Sequence, residues 1–202
     1  MKNSAVQRLT GKDFVAIGIY SVLIRVIVTV VGMLFMPFMV VAFPFITGAC
    51  VLVAAPVYLL MAYKVGKRGV MFLFCTIIGL TYVLMGAVYI LPYMLIAGIL
   101  CEAVMWKKGS YRSFWHNAAS YSVYSVLYLG AMYFPICVFG KEYFVQFGLT
   151  QEGTEILAKY VLTPSWAAIS ILITVLMALA GCLIGRRLLK KHFIKSGLVT
   201  EV

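Results

Sequence analysis

Apolar positions run along this chain in long blocks, broken by short basic clusters. From Phe14 to Tyr63 the single charge is Arg25, and the block is long enough for two membrane spans. Pro37 and Pro44 bracket the expected turn, since each restricts the residue before it and lacks a backbone donor. Val70 to Cys101 is uncharged and stays apolar to Trp106, which predicts two more spans with a turn near Gly86 to Pro92. Phe114 to Phe139 makes a fifth and Pro164 to Gly185 a sixth. A bilayer core of about 30 Å takes roughly 20 apolar residues per helix. The pattern therefore predicts an all-α integral membrane protein of six helices, at approximately 13–36, 40–63, 69–87, 89–107, 113–138 and 164–190, in one domain spanning 1–202.

Composition agrees with lipid burial. Residues are 64% hydrophobic and only 11% charged, with a mean hydropathy of +1.04, whereas a soluble domain carries about 25% charge. The formal charge of +11 would suggest nucleic acid in a soluble protein. Here 14 of the 17 Lys and Arg fall in four clusters: Lys2, Arg8, Lys12; Lys64, Lys67, Arg68; Lys107, Lys108, Arg112; and Arg186, Arg187, Lys190, Lys191, Lys195. Six up-and-down helices put all four on one face, leaving Lys141 and Lys159 opposite. The positive-inside rule then makes both termini cytoplasmic, and no nucleic-acid partner is expected. Cys50, Cys75, Cys101, Cys137 and Cys182 all lie in apolar runs without metal-ligand spacing, so neither disulfides nor a metal site is expected. The first apolar run is too long for a signal-peptide core and is expected to remain as a span.

Little in the chain suggests catalysis. There is no G-x-x-x-x-G-K-[ST] to cradle ATP and no H-E-x-x-H, and the single Asp is Asp13. His116 and His192 lie at the cytoplasmic edge, so no enzyme and no cofactor is expected. Glu102 is the one carboxylate near a span, close enough to Lys107 to be solvated or paired at the interface; a secondary transporter usually couples to ions through intramembrane carboxylates. The external loop 139–163 contains "TQEGTEILAKYV", which predicts a short amphipathic helix capped at a Thr or Gly, either solvated or lying over the outer mouth.

The fifth helix carries Asn117, Tyr121, Tyr124, Tyr128 and Met132 on one face. A tyrosine in hydrocarbon must satisfy its hydroxyl, so this face looks inward, either bonding between helices or walling a ligand in its outer half. Tyr89, Tyr93, Tyr133 and Trp166 lie near outer helix ends, as belt residues or part of that wall. "GCLIG" places Gly181 and Gly185 one turn apart and implies close helix packing. Arg25 lies 13 residues beyond Lys12, about 20 Å along a helix, near mid-membrane. An uncompensated cation there costs at least ~2.5 kcal/mol. It should face the bundle interior, paired with carbonyls, tyrosine hydroxyls or Glu102, or with an anionic ligand group.

Two stretches, "LTGKDFVAIGIYSVL" opening the first helix and "KKHFIKSGL" at the end of the chain, resemble the Trep_Strep (MptD-like) family of substrate-binding S components of energy-coupling factor (ECF) transporters. The resemblance implies an S-component-like bundle in the bacterial cytoplasmic membrane. Its implied role is to capture a vitamin-like or other micronutrient from outside and topple to release it inward. The implied partners are a transmembrane scaffold (T) subunit and two ABC ATPases. S components often dock through A-x-x-x-A on the first helix. Here Tyr20 replaces the second Ala, and Ala16, Gly18 and Ser21 supply a small patch instead. Substrate sites in such proteins lie toward the outer side, among helices 4 to 6 and external loops, which matches Tyr124, Tyr128 and Trp166; with Arg25, Met132, Tyr89 and Tyr93 these are the expected substrate-binding residues. The alternatives are a stand-alone small-molecule secondary transporter and a non-transporting membrane protein.

Overall fold

The computed structural model describes residues 9–107, 109–140 and 150–193, with the backbone alone for 192 and 193. Lys2, Arg8, Lys108, Lys141 and Lys195, which figured in the charge pattern, lie outside the described residues. Among the described residues seven α-helices form: α1 (Gly11–Phe35), α2 (Met39–Val65), α3 (Val70–Leu84), α4 (Ile90–Val104), α5 (Phe114–Phe139), α6 (Gln151–Leu162) and α7 (Pro164–Leu188). All but α6 correspond to the six expected spans. Gly11–Val65, Phe114–Phe139 and Pro164–Lys191 are long and apolar enough to cross a membrane, while α3 and α4 are apolar but only 15 residues each.

The first of these stretches folds back on itself. A 3₁₀ turn at Met36–Phe38, with Pro37 in its first positions, reverses the chain. Contacts between the two arms fix the antiparallel register: Lys67 Nζ lies 2.6 Å from Asp13 Oδ2, and Cys50 Sγ reaches the Val28 carbonyl at 3.6 Å. Pro44 does not bound this turn. It lies buried inside α2, where its missing N–H costs one helical bond to Val40 and its ring crowds that carbonyl. Pro92 likewise lies within the first turn of α4, where backbone donors have no helical partner in any case. The α3–α4 reversal is instead Met85–Tyr89, turning on Gly86 at φ 88°, a conformation that favours glycine.

Around the bundle, α1 touches α2 and α3, α4 lies between α3 and α5, and α7 bridges α5 and α2. α2 is also in contact with α5 and α6, and it buries Ala54, Ala55, Tyr58, Leu59, Met61 and Ala62 in the main core. Val15, Ile19, Val22, Val26, Ile96, Ile99 and Leu172 stay exposed on outer faces, as expected of side chains that meet lipid.

α2 and α7 pack closely. Pro56 cannot donate to Leu52, four residues back, so the Leu52 carbonyl is left free. A methyl built on Gly181 would lie 2.5 Å from that oxygen, and one on Gly185 would lie 2.9 Å from Pro56 Cα. The two glycines of "GCLIG" thus seat α7 against the proline of α2, where a Cα–H can face the spare carbonyl. Their partner is within the chain.

Basic residues collect at one end. There Arg68 donates to the Trp106 carbonyl, Lys64 approaches the Tyr20 hydroxyl at 3.4 Å, and the Arg186 guanidinium lies 4.6 Å over the Phe114 ring. At the opposite end α6 starts at Thr150, whose hydroxyl oxygen accepts the Gly153 N–H at 3.1 Å. Leu157, Ala158 and Val161 of α6 pack against Phe43 of α2 and Ile136 of α5.

Candidate functional site

Helix lengths decide what lies at the height of Arg25. It sits fourteen residues above the start of α1, about 21 Å along the axis. α3, beginning at the same basic end, is complete after 15 residues, about 22 Å. Met85 at its tip is therefore level with Arg25, and α1 continues for roughly another 15 Å to Phe35. Tyr128, fourteen residues into α5, arrives at the same level.

These three helices build the cation's surroundings. Arg25 Nη1 donates to the Tyr128 hydroxyl at 3.4 Å, and Nη2 approaches Met85 Sδ at 2.9 Å. The guanidinium carbon lies 4.1 Å from the centroid of the Tyr82 ring, a cation–π placement. The Tyr82 and Tyr128 hydroxyls are 2.9 Å apart. Arg25's partners among the described residues are neutral. Asp13 is engaged by Lys67 and Glu102 by Gly69 and Tyr111, both at the basic end; among the described residues no carboxylate pairs with Arg25.

Below Arg25 an aromatic column descends through the core. Tyr128 stacks on Tyr124 and Tyr124 on Tyr121, each pair at 5.8 Å between centroids, and Tyr121 stacks on Tyr58 at 4.5 Å. Phe74 of α3 leans on Tyr124 at 4.8 Å. The lower hydroxyls are spent internally: Tyr121 donates to the Val51 carbonyl at 2.8 Å, and Tyr58 to Asn117 Oδ1 at 3.4 Å. The column is thus anchored at its base and carries its cation at the top.

The residues expected to form a site are only partly brought together. Arg25, Tyr128 and Tyr124 join in one cluster, with Met132 half-buried a turn above Tyr128. Tyr89 stacks on Phe134 at 5.7 Å and meets Phe139 edge-on at 5.1 Å, forming an aromatic wall between the hairpin tip and outer α5. Tyr93 faces the same seam, but its hydroxyl donates to the Leu127 carbonyl at 2.8 Å. Trp166 lies at the start of α7, edge-on to Tyr160 of α6 at 5.0 Å. Of the three α1 residues expected to form a docking patch, Ser21 is fully buried and Ala16 packs against the core, while Gly18 presents open space.

Two participants were not expected: Tyr82 and Met85. Tyr82 carried the same signal as the α5 tyrosines, a phenol inside an apolar run. Gly32 stands seven residues from Arg25, so it lies on nearly the same helical stripe. Nothing in the sequence marks Met85, which reaches Arg25 across 60 residues.

Glu102 has a different setting. Its Oε1 accepts the Gly69 N–H at 2.7 Å and its Oε2 the Tyr111 hydroxyl at 2.6 Å, while Tyr111 oxygen accepts the Met71 N–H at 3.0 Å. Burial, and then the adjacent carboxylate, push the Tyr111 pKa up, so its hydroxyl remains a donor. A carboxylate at the start of α3 also complements the helix dipole. The arrangement ties α3, α4 and the Ser110–Arg112 turn together.

The chain belongs to the Trep_Strep family, described as a hypothetical bacterial integral membrane protein, whose model matches residues 11–195. No curated protein and no solved structure matches it.

Proposed function

We propose that this member of the Trep_Strep family is the membrane-embedded substrate-capture (S) subunit of an ECF-type importer in the bacterial cytoplasmic membrane. It takes up a vitamin-like or other micronutrient and draws its energy from a separate scaffold subunit and two ABC ATPases. The observation that carries the reading is the buried tyrosine column ending in Arg25, a cation at membrane depth with neutral partners. Such a group is costly in lipid and is a functional site by default. The positive-inside rule turns the basic end to the cytoplasm, so the side of Arg25 above the hairpin tip faces outward, toward α6.

The chain has no ATP-cradling motif of its own, which supports an energy source elsewhere. Ion coupling through Glu102 is disfavoured by its place at the basic end, bonded to the start of α3. The reading is tested by identifying the small molecule released from the purified chain, then measuring its uptake into liposomes. Uptake is expected only with scaffold, ATPases and ATP; ion-driven uptake by the chain alone would overturn the proposal.

A further inference from the structure

We infer that the Arg25 guanidinium is a carboxylate subsite, and that the molecule it takes is a monoanion whose planar apolar body lies along outer α1 over Gly32. The inference rests on the capture-subunit reading and supplies its substrate class.

The guanidinium is held in place without being satisfied. Tyr82 fixes it through its ring, and Tyr128 accepts one bond at a long 3.4 Å. The remaining partner, Met85, offers a thioether, a weak acceptor, on a side chain that is 65% exposed. Five N–H groups are available on an arginine, and a carboxylate fits two of them side by side. It displaces the Met85 sulfur at small cost. With one cation and no carboxylate partner among the described residues, the site neutralises one negative charge and leaves a dianion unbalanced in low dielectric.

Space lies on the outer side. Gly32 is seven residues above Arg25, about 10 Å along the helix and on the same stripe. A methyl built there meets nothing within 4 Å. α3 ends at the level of Arg25, so its tip does not fill this position. Phenol and aromatic faces border the subsite at Tyr82 and Tyr128, and Tyr89 begins the wall beyond the tip. A planar apolar body fits such walls by stacking. Arg25 lies roughly 20 Å above the basic end in a core of about 30 Å. A lipid headgroup would have to sink about 10 Å to reach it, which favours a free acid.

The test uses the full chain in phosphatidylcholine nanodiscs, with 2-naphthoate as probe, its neutral isostere 2-naphthamide, and a separate set of discs containing phosphatidylglycerol. Binding is read by calorimetry and by melting temperature. 2-Naphthoate is expected to bind at least about tenfold more tightly than the amide, as charge-assisted hydrogen bonds are worth. Arg25→Gln should reduce the acid to the level of the amide, and Arg25→Lys should retain part of the preference. Gly32→Phe should abolish binding, though nothing near Gly32 obstructs folding; Val30→Phe, on an exposed position of the same helix, should not. Equal binding of acid and amide, no binding of the acid, or an unaltered preference in Arg25→Gln would each overturn the subsite. Stabilisation by phosphatidylglycerol that depends on Arg25, without any effect of the acid, would assign the cation to a lipid headgroup and overturn it as well. Assembly of the native chain with scaffold and ATPases, followed by native mass spectrometry, separates the two levels. If the complex forms while the acid fails, the carboxylate inference falls alone; if no complex forms, the capture reading falls.

Discussion

Glu102→Gln distinguishes a structural carboxylate from an ion-coupling one. The substitution keeps the side-chain shape and removes the charge. In the native protein the carboxylate accepts two bonds, from the Gly69 N–H at 2.7 Å and the Tyr111 hydroxyl at 2.6 Å. Hydrogen bonds to a charged group are worth about 1.5–3 kcal/mol each and neutral ones about 0.5–1.5 kcal/mol. A glutamine retains one acceptor oxygen, and its NH₂ must face either the Gly69 donor or the Tyr111 hydroxyl. Part of the helix-dipole interaction at the start of α3, about 0.3–1 kcal/mol, goes with the charge. Partial exposure puts these contributions at the low ends of their ranges, so the loss is about 1–2 kcal/mol. For a chain of this size that is a fall in melting temperature of about 3–6 °C. The assay is a thermal melt in mild detergent, with uptake measured in parallel on the assembled importer. The structural role requires a lower melting temperature with uptake per folded molecule retained. An unchanged melting temperature with abolished uptake would refute the reasoning and restore ion coupling.

Further outcomes follow from the packing. Gly181→Ala forces a methyl onto the Leu52 carbonyl and Ala55; with backbone on one side of the clash, a loss of about 1–3 kcal/mol is expected, read as a lower melting temperature. Gly130→Ala drives a methyl into the Tyr93 hydroxyl, which bonds Leu127, and should loosen the α4–α5 seam, seen as faster proteolysis of the α3–α4 hairpin. Because folding raises the Tyr111 pKa, the folded state holds that proton longer than the unfolded one. The contribution of Tyr111 is therefore complete below about pH 10, the ordinary tyrosine value, and is lost as pH rises beyond it. Melting temperatures of Tyr111→Phe should accordingly fall less steeply above pH 10 than those of the native chain.

The number of helices was legible because basic clusters punctuate the apolar blocks, and charges cannot be placed at random in lipid. Internal boundaries were less legible, for physical reasons. In the α3–α4 hairpin the turn residues Met85, Ala87 and Val88 are as apolar as the helices they join, so hydropathy runs straight through the reversal and the helices read four residues too long. Prolines misled in the same way: Pro44 and Pro92 looked like turn markers but lie within helices, Pro44 at the cost of one bond and Pro92 in a first turn that has none to lose. Arg25 was legible as an anomaly and Tyr128 as part of a stripe. Their meeting with Tyr82 and Met85 depends on how high α3 reaches, which no local pattern records. Ser21 was read as part of an outward small patch, and the helix rotation that buries it is set by packing against α2 and α3.

The most direct measurement is native mass spectrometry of the affinity-tagged chain isolated from its own membrane, with ATPase activity assayed on the same sample. The account predicts one copy of the chain with one polytopic scaffold and two ATPases, hydrolysing ATP. A chain that isolates without ATPase subunits, and carries substrate across liposomes by an ion gradient alone, would contradict it.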